Sequence, residues 1–213
     1  MAKAPKPDWD ADSSVLAANL AAVEDSIRRD AAQKVPPTLQ LAREWHIQIM
    51  KSLQTPDPNW VGRFRGESGL ERIGVKAGAL RGTAPDVVAA ELAAFEVQLT
   101  AACQALDDSY SQQGLDADVL EAAVEVAAWV HSKWVQIHPF ANGNGRTARI
   151  WANWVLLRYG IRPVLRLRPR PDSGYADAGR AGMEGDFTPM AAVIHALLAA
   201  GLPPPTARPR AFR

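Results

Sequence analysis

Stretches with one apolar face alternate along this chain with short segments rich in proline and glycine. Between residues 13 and 33 apolar side chains recur every three or four positions, which predicts an amphipathic helix capped by Asp12 or Ser13. Thr38 precedes a second such stretch, and Pro85 opens a third, much longer one. The first part of the chain is therefore predicted to be mainly helical.

A later stretch is apolar on nearly every face. It follows Asp116 or Asp118 and ends near Ile137, and a second strongly apolar stretch runs from Arg146 to a helix stop at Gly160. A helix without a polar face has to be surrounded by protein. The first of these two is therefore predicted to be the central helix of a bundle.

The remaining segments are shorter. Residues 62–82 are rich in glycine and contain β-like pieces, which predicts a hairpin or an extended flap. Residues 109–116 are predicted to be a loop and 173–186 to contain a short helix, and Pro189 starts a final helix. One hairpin among about seven helices predicts an all-α fold, a helical bundle with a small β-hairpin flap.

The domain organisation follows from the same pattern. The chain of 213 residues is long enough for one full hydrophobic core and too short for two, so a single domain is expected over residues 13–200. It lies between a flexible N-terminus, 1–12, and a disordered tail rich in proline and arginine, 201–213.

Composition narrows the class of protein further. The net charge of +1 gives no indication of a nucleic-acid or membrane partner, so no membrane contact is expected and a nucleic-acid partner is not favoured. Cys103 is the single cysteine, which excludes an intrachain disulfide, and its apolar neighbours favour simple core packing. The N-terminal residues show no apolar signal region, and no run of about 18 apolar residues predicts a membrane span. The chain is expected to be cytoplasmic.

One motif concentrates the chemistry, HPFANGNGRTAR at residues 138–149. Gly143 and Gly145 permit positive φ angles and let a ligand approach the backbone closely. A glycine-rich loop that leads into a helix N-terminus favours anions. Arg146 and Arg149 lie three positions apart, on one face of that helix, and two guanidinium groups there suit a polyphosphate.

Three other residues of the motif have predicted roles. His138 is a proton-transfer group that can act as a base near neutral pH. Phe140 is interpreted as an inward-facing anchor for the loop, and Asn144 can bind a phosphate or a neighbouring backbone group. The alternative is a polar connection between two helices with a capping asparagine, which explains neither the glycines nor the paired arginines.

The motif resembles that of the Fic family, H-x-F-x-[D/E]-G-N-G-R-x-x-R, at every defined position except Asn142. The flanking helices, the flap and the C-terminal helix pair are also similar, so the resemblance covers most of residues 13–200. It implies transfer of AMP from ATP to a Ser, Thr or Tyr hydroxyl of a target protein, with His138 as the general base. Arg146 and Arg149 would hold the β- and γ-phosphates. The implied anion hole consists of Gly143, Asn144 and Gly145.

The resemblance also implies how a protein target binds. An extended segment of the target would pair with the flap near Ile73 and Val75 and so present its hydroxyl to His138. Tyr175 would lie near the nucleotide base.

Asn142 occupies the position at which the family usually has an acidic magnesium ligand. Magnesium prefers charged oxygen donors, and an amide oxygen carries no charge. ATP is therefore expected as the substrate, with Mg²⁺ only weakly held by Asn142 and bound mainly through the triphosphate.

A second difference from the family pattern, after Asn142, lies near the N-terminus. Residues 13–19, SSVLAAN, resemble the family's inhibitory helix motif, S-S-x-I-E-G-N, with Ala17 at the position of the inhibitory glutamate. Three explanations stay open: the inhibition is lost, it is supplied by a partner protein, or the match is a coincidence in an alanine-rich packing helix. The oligomeric state is equally open.

Other candidates are interpreted structurally. His46, His131 and His195 are predicted to be packed or surface histidines, and the tryptophans of the helices to be core residues. The arginine-rich run 158–170 is interpreted as a solvated face, with a target or nucleic-acid contact as the alternative. Two rival functions remain: a Fic-like enzyme that phosphorylates or removes AMP, and a non-catalytic nucleotide-binding module. The intact His138 argues against the second.

Overall fold

Seven helices and one short hairpin make up the computed structural model, which describes residues 13–172 and 174–201. The helices are α1 (Ser14–Ala32), α2 (Leu39–Met50), α3 (Pro85–Gln113), α4 (Ala117–Ile137), α5 (Asn144–Arg158), α6 (Tyr175–Met183) and α7 (Thr188–Ala200). The strands are β1 (Lys76–Ala77) and β2 (Leu80–Arg81), which pair in antiparallel fashion. The predicted all-α fold is confirmed. The predictions for 1–12 and 202–213 fall outside the described residues.

Side-chain caps explain where three of the helices begin. Ser13, Thr38 and Asp116 each accept a hydrogen bond from the backbone N–H three residues further on, at 3.1, 3.4 and 2.8 Å. Such bonds satisfy N–H groups that have no partner inside the helix. The starts predicted from these residues are confirmed.

The end of α3 was not predicted correctly. Residues 109–116 were expected to form a loop, but the helix continues to Gln113 and stops at Gly114, whose φ angle is +71°. Tyr110 packs edge-on against Tyr159 of α5, with 5.7 Å between the ring centroids. This tertiary contact stabilises the end of a helix in which Ser109 and Ser111 have only a modest helix propensity.

Helices α4 and α5 form the centre of the molecule. Helix α4 packs against α3, α5, α6 and α7, and α5 also packs against α1 and α2. Their shared core contains aromatic side chains that are at most 2% exposed: Trp45, Trp134, Trp151 and Trp154. Burial of one large apolar side chain contributes about 1.5–3 kcal/mol, so the relative position of α4 and α5 is strongly fixed.

A buried ion pair joins three helices and corrects one interpretation. Arg158 was assigned to a solvated face, but it is 7% exposed and donates to Asp107 of α3 at 2.6 Å. Lys34, just after α1, donates to the same carboxylate at 2.8 Å. Burial acts to raise the pKa of Asp107, but the two cationic partners outweigh it and the pKa is lowered.

The flap is smaller than expected. Only β1 and β2, two residues each, form a hairpin, and 62–75 consists of turns and irregular chain. Ile73 and Val75 therefore precede the hairpin instead of lying in it. Within the irregular part, Gly66 has a φ angle of +90°, and a Cβ atom there would lie 2.1 Å from the carbonyl oxygen of Pro85, so this turn requires glycine.

None of the helices in the described part of the chain combines the length and the apolarity that crossing a bilayer requires.

Candidate active site

The motif 138–149 lines a cleft of about 740 Å³ between the end of α4 and the start of α5. Residues 74–76, which lead into the hairpin, form one side of the cleft, and residues 167–170 form another. The end of α4 and the start of α5 lie close together because the two packed helices are joined by only the six residues of the loop 138–143.

His138 ends α4 in a left-handed conformation with a φ angle of +54°. Its Nδ1 lies 2.8 Å from the carbonyl oxygen of Val135, which can only accept, so Nδ1 carries the proton and Nε2 keeps its lone pair. Burial lowers the pKa of His138, the nearby charge of Arg65 lowers it further, and the hydrogen bond to Val135 opposes both. The imidazole is thus a neutral base near pH 7.

Arg65 lies beside the cleft and contacts the end of α4, a position that no pattern in the sequence predicts. Its guanidinium is 1% exposed and donates to four backbone carbonyl groups. Two belong to the end of α4, Ile137 at 2.9 Å and His138 at 2.7 Å, and two to the flap, Ile73 at 3.1 Å and Thr83 at 2.7 Å. Arg65 thus fixes the flap to the helix end that carries His138.

Phe140 and Asn144 give the loop its shape. Phe140 is fully buried and points inward. The Asn144 side chain accepts from the backbone N–H of Phe140 and donates to the carbonyl oxygen of the same residue, both at 2.8 Å. The amide of Asn144 is therefore directed at the loop backbone, and its own backbone N–H is what it can offer to a phosphate.

His46 supports the loop from α2. Its ring stacks on Phe140 with 3.9 Å between centroids. Nδ1 accepts from the N–H of Gly62 at 2.9 Å, so the proton of the neutral ring lies on Nε2, 3.1 Å from the carbonyl oxygen of Asn142. Burial lowers the pKa of His46 to about 4, which keeps the ring neutral and this arrangement stable.

Asn142 turns its amide oxygen towards the start of α5. The Oδ1 atom accepts a hydrogen bond from the N–H of Gly143 and lies 3.4 Å from Nη2 of Arg146. Gly143 has a φ angle of +81°, and a Cβ atom there would lie 3.0 Å from the Cε atom of Met50. A residue other than glycine would be strained at this position for both reasons.

Arg149 is held by neighbours outside the motif. It is 6% exposed and donates to the hydroxyl of Tyr175 at 3.0 Å and to the carbonyl oxygen of Leu167 at 2.8 Å. Its Nε atom has no hydrogen-bond partner among the described residues. Arg146, 5% exposed, lines the same cleft.

The hydroxyl of Tyr175 connects Arg149 to His131 through hydrogen bonds. Nε2 of His131 lies 2.7 Å from it, and because the hydroxyl already accepts from Arg149, it is free to donate to His131. Burial lowers the pKa of His131 to about 3, so the ring is a neutral acceptor. His131 is therefore a packed histidine, as predicted, but it also helps to position Arg149.

The donor set of the cleft does not fit a protein-bound magnesium ion. Asn142 supplies one neutral oxygen that is already hydrogen-bonded, and none of the lining residues is acidic. Within residues 13–172 and 174–201, no cluster of three or more His, Cys, Asp or Glu side chains could hold a metal ion. Magnesium usually keeps one or two carboxylate ligands, and this cleft offers it none.

The remaining predicted residues lie around the cleft. Val75 lines it, whereas Ile73 contributes only its carbonyl group to Arg65. Ala17 is exposed on α1 and lines a separate cavity of about 240 Å³, which it shares with Leu167, Arg168 and Pro169. Leu167, Arg168 and Pro169 also line the cleft, so the two cavities adjoin the same segment.

The family model described as Fic/DOC family matches residues 36–156, more than half of the chain. The chain belongs to the Fic/DOC family. Curated relatives include proteins named protein adenylyltransferase Fic. The one from Aedes aegypti is 41% identical over 71 residues, which are 33% of this chain and 14% of the relative. The one from Nematostella vectensis is 45% identical over 67 residues, 31% of this chain and 15% of the relative.

Solved structures share the fold at low sequence identity. A Fic-domain signalling protein from Bacteroides thetaiotaomicron is 20% identical with a TM-score of 0.60, over 87% of this chain and 69% of that one. The BepC effector of Bartonella tribocorum, crystallised with bound AMPPNP, is 17% identical with a TM-score of 0.57, over 90% of both chains. The match to curated relatives spans only a small part of their length.

Proposed function

We propose that this protein transfers AMP from ATP to the hydroxyl of a Ser, Thr or Tyr side chain on a target protein. One observation carries the proposal: His138, with its lone pair on Nε2, lies in the same cleft as Arg146, Arg149 and the N-terminus of α5. A base and a phosphate site in one cleft suit transfer of a phosphoryl-linked group to a hydroxyl.

The names of the curated relatives support the same activity, since both are called protein adenylyltransferases. The AMPPNP bound to BepC, which shares this fold, is consistent with a nucleotide ligand.

The proposed step begins with the target hydroxyl hydrogen-bonded to Nε2 of His138. The oxygen attacks the α-phosphorus of ATP, and its proton passes to Nε2. The bond between the α-phosphorus and the oxygen bridging to the β-phosphate breaks, and pyrophosphate leaves with the bonding electron pair. The products are the AMP ester of the target, pyrophosphate and protonated His138, which then loses its proton to solvent. The lowered pKa of His138 favours both its neutral starting form and this last step.

The start of α5 supplies the electrostatic part of this mechanism. The first N–H groups of a helix have no partner inside the helix and are directed out of its N-terminus. Gly145 lines the cleft at this point, and Arg146 and Arg149 lie beside it. In the proposed complex these groups stabilise charge on the phosphates and hold the α-phosphate in line with the attacking oxygen.

A second cavity, of about 560 Å³, adjoins the cleft. It shares His138, Gly145 and Arg149 with the cleft and extends between the hairpin and α6. Leu80 and Met183 contribute to its mostly apolar lining. We assign the base and ribose to this cavity, beside Tyr175 and consistent with the expected place of that residue.

The flap has the geometry to bind a target. Lys76 and Ala77 of β1 are exposed, and Gly74 and Val75, just before them, line the cleft. An extended target segment that pairs along residues 73–77 would carry its hydroxyl past His138. Any Mg²⁺ in the complex would have to be held by the phosphates of ATP, since Asn142 offers only a neutral oxygen.

Labelled ATP tests the proposal. Wild-type protein and His138→Ala are incubated with a lysate of the native cell and ATP labelled on either the α- or the γ-phosphate. The proposal expects protein-bound label from α-labelled ATP only, and only with the wild type. Transfer from γ-labelled ATP would establish phosphorylation instead. Equal labelling by both proteins, or by neither, would contradict the assignment of His138 as the base.

A further inference from the structure

The charges of the cleft are all of one sign. Five side chains that line it are cationic, and none is acidic: Lys76, Arg146, Arg149, Arg168 and Arg170. Lys76 and the arginines of 168–170 lie outside the motif and come from two different parts of the chain, the hairpin and the segment after α5. The whole chain has a net charge of only +1, so this concentration is local.

A divalent cation would meet an unfavourable field in this cleft. The helix dipole of α5 places its positive end there. The neutral oxygen of Asn142 is bonded to Gly143 and lies next to Arg146, so a metal ion would have to displace both contacts. No acidic side chain of the cleft would compensate its charge. The local chemistry suits a polyphosphate anion and disfavours a cation.

We infer that the cleft binds its polyphosphate without a divalent metal, and that Lys76 and Arg170 supply the charge neutralisation that a metal ion would otherwise give. The inference rests on the proposed function, since it concerns how the same nucleotide is held. The ligand class is thus the free nucleoside triphosphate, uncomplexed with metal.

The placement of the two residues supports this role. Both side chains are exposed, and neither has an ion-pair partner among the described residues, so both can turn towards a ligand. Arg170 lines the cleft and the adjoining apolar cavity, at the junction between the proposed phosphate and nucleoside positions. Lys76, next to Val75 in the sequence, lines the same cleft. An exposed cation contributes less to the binding free energy than a buried one. Two such cations near a highly charged ligand should nevertheless strengthen its binding by a measurable amount.

Equilibrium binding of a fluorescent ATP analogue tests the inference without relying on turnover. The dissociation constant is measured for the wild type in excess EDTA and in excess Mg²⁺, and a ratio within about threefold is expected, a difference below 1 kcal/mol. Asn142→Asp restores an acidic oxygen beside the phosphates. It is expected to weaken binding in EDTA by about tenfold or more, and Mg²⁺ should restore the affinity.

A matched pair of double variants tests the two cations. Lys76→Gln/Arg170→Gln is expected to weaken binding in EDTA by about three- to tenfold. The control, Arg81→Gln/Arg166→Gln, removes the same charge. Arg81 is the cross-strand partner of Lys76 and Arg166 precedes the 167–170 segment, but neither lines the cleft. The control is expected to bind like the wild type.

The outcomes separate the inference from the proposed function. Binding by the wild type that requires Mg²⁺ would overturn the inference and leave the proposed function standing. Equal affinities of the two double variants in EDTA would overturn the role of Lys76 and Arg170. Absence of binding in both EDTA and Mg²⁺ would remove the proposed function itself.

Discussion

The Nε atom of Arg65 donates a hydrogen bond of 2.7 Å to the backbone carbonyl of His138. This carbonyl lies at the C-terminus of α4, where the helix dipole is negative and a cation is favoured. Because the same guanidinium also binds carbonyl groups of the flap, one buried side chain positions both the proposed base and the proposed target-binding segment.

Replacement of Arg65 should therefore affect catalysis more than nucleotide binding. Arg65→Met leaves four carbonyl groups without their donor and removes a charge that lowers the pKa of His138. We expect kcat to fall by about tenfold to a hundredfold, since a lost buried hydrogen bond to a charged group is worth about 1.5–3 kcal/mol. The acid limb of the pH–rate profile should also move to higher pH.

Arg65→Lys keeps the charge with fewer donors and serves as the conservative control. It is expected to restore the pH profile and part of kcat. Thermal melting of each variant shows whether it is folded. If Arg65→Met is folded and its kcat and pH profile match the wild type, Arg65 has no positioning role.

The pH dependence of the wild type follows from His138. A general base acts in its unprotonated form, and burial lowers the pKa of His138 below its ordinary value of 6.5. Activity should therefore persist as the pH falls through 6.5 and be lost only at lower pH. Initial rates of label transfer across the range from about pH 5 to about pH 8 measure this. A half-maximal rate at or above pH 6.5 would show that burial does not control the base.

Stability should also depend on pH, through His46 and His131. Burial lowers their pKa values to about 4 and about 3, whereas the unfolded histidines titrate near 6.5. Below pH 6.5 the unfolded state therefore binds more protons than the folded state. The free energy of unfolding should fall as the pH falls, by about 1.4 kcal/mol per pH unit for each histidine until its folded pKa is reached.

Urea unfolding at several pH values between about 4.5 and about 7 tests this. His131→Gln removes one buried titrating group and should reduce the slope of stability against pH, and His195→Gln, at a half-exposed histidine, is the matched control. Equal slopes for wild type and His131→Gln would contradict the prediction.

Tyr175→Phe removes the hydroxyl that joins Arg149 to His131. Both partners would lose a buried hydrogen bond, at a cost to stability of about 1–3 kcal/mol. Because Arg149 is no longer held, we expect the KM for ATP to rise by about three- to tenfold. Tyr110→Phe, on α3 away from the cleft, is the matched control. A Tyr175→Phe variant with lower stability but an unchanged KM would show that the hydroxyl has a structural role only.

Ala17→Glu tests the resemblance of α1 to an inhibitory helix. The new carboxylate would lie in the cavity beside Leu167 and Arg168, and it could compete with the Leu167 carbonyl for Arg149. Activity should fall by about tenfold or more, since a charged hydrogen bond is worth about 1.5–3 kcal/mol. Ala18→Glu places the same charge on the next, exposed position of α1, outside the cavity, and should have little effect. Equal activities of the two variants would argue against the alignment.

The sequence predicts the features that depend on local chemistry. Capping residues such as Thr38 and Asp116 mark helix starts, because the side-chain oxygen accepts a hydrogen bond from the N–H only three residues further on. Both partners therefore lie in one short stretch of sequence. The motif likewise predicts the turn at Gly143 and the helix that follows it.

Other features depend on residues that are distant in the sequence. Arg65 lies in a glycine-rich segment without periodicity, and its carbonyl partners at Ile137 and His138 are more than seventy positions away. The contact between Tyr175 and Arg149 joins residues 26 positions apart across a turn region. No short-range sequence pattern predicts such contacts, so they can be identified only from the packed structure.

The two hydrogen bonds between the Asn144 side chain and the backbone of Phe140 have a further consequence for binding. These hydrogen bonds fix the conformation of the loop before any ligand binds, and the buried side chain of Phe140 anchors the loop in the core. A nucleotide would therefore lose its own conformational freedom on binding but would impose little loss of entropy on this loop. The entropic cost of forming the complex would fall mainly on the exposed side chains at the rim and on the segment of the target that the flap has to straighten.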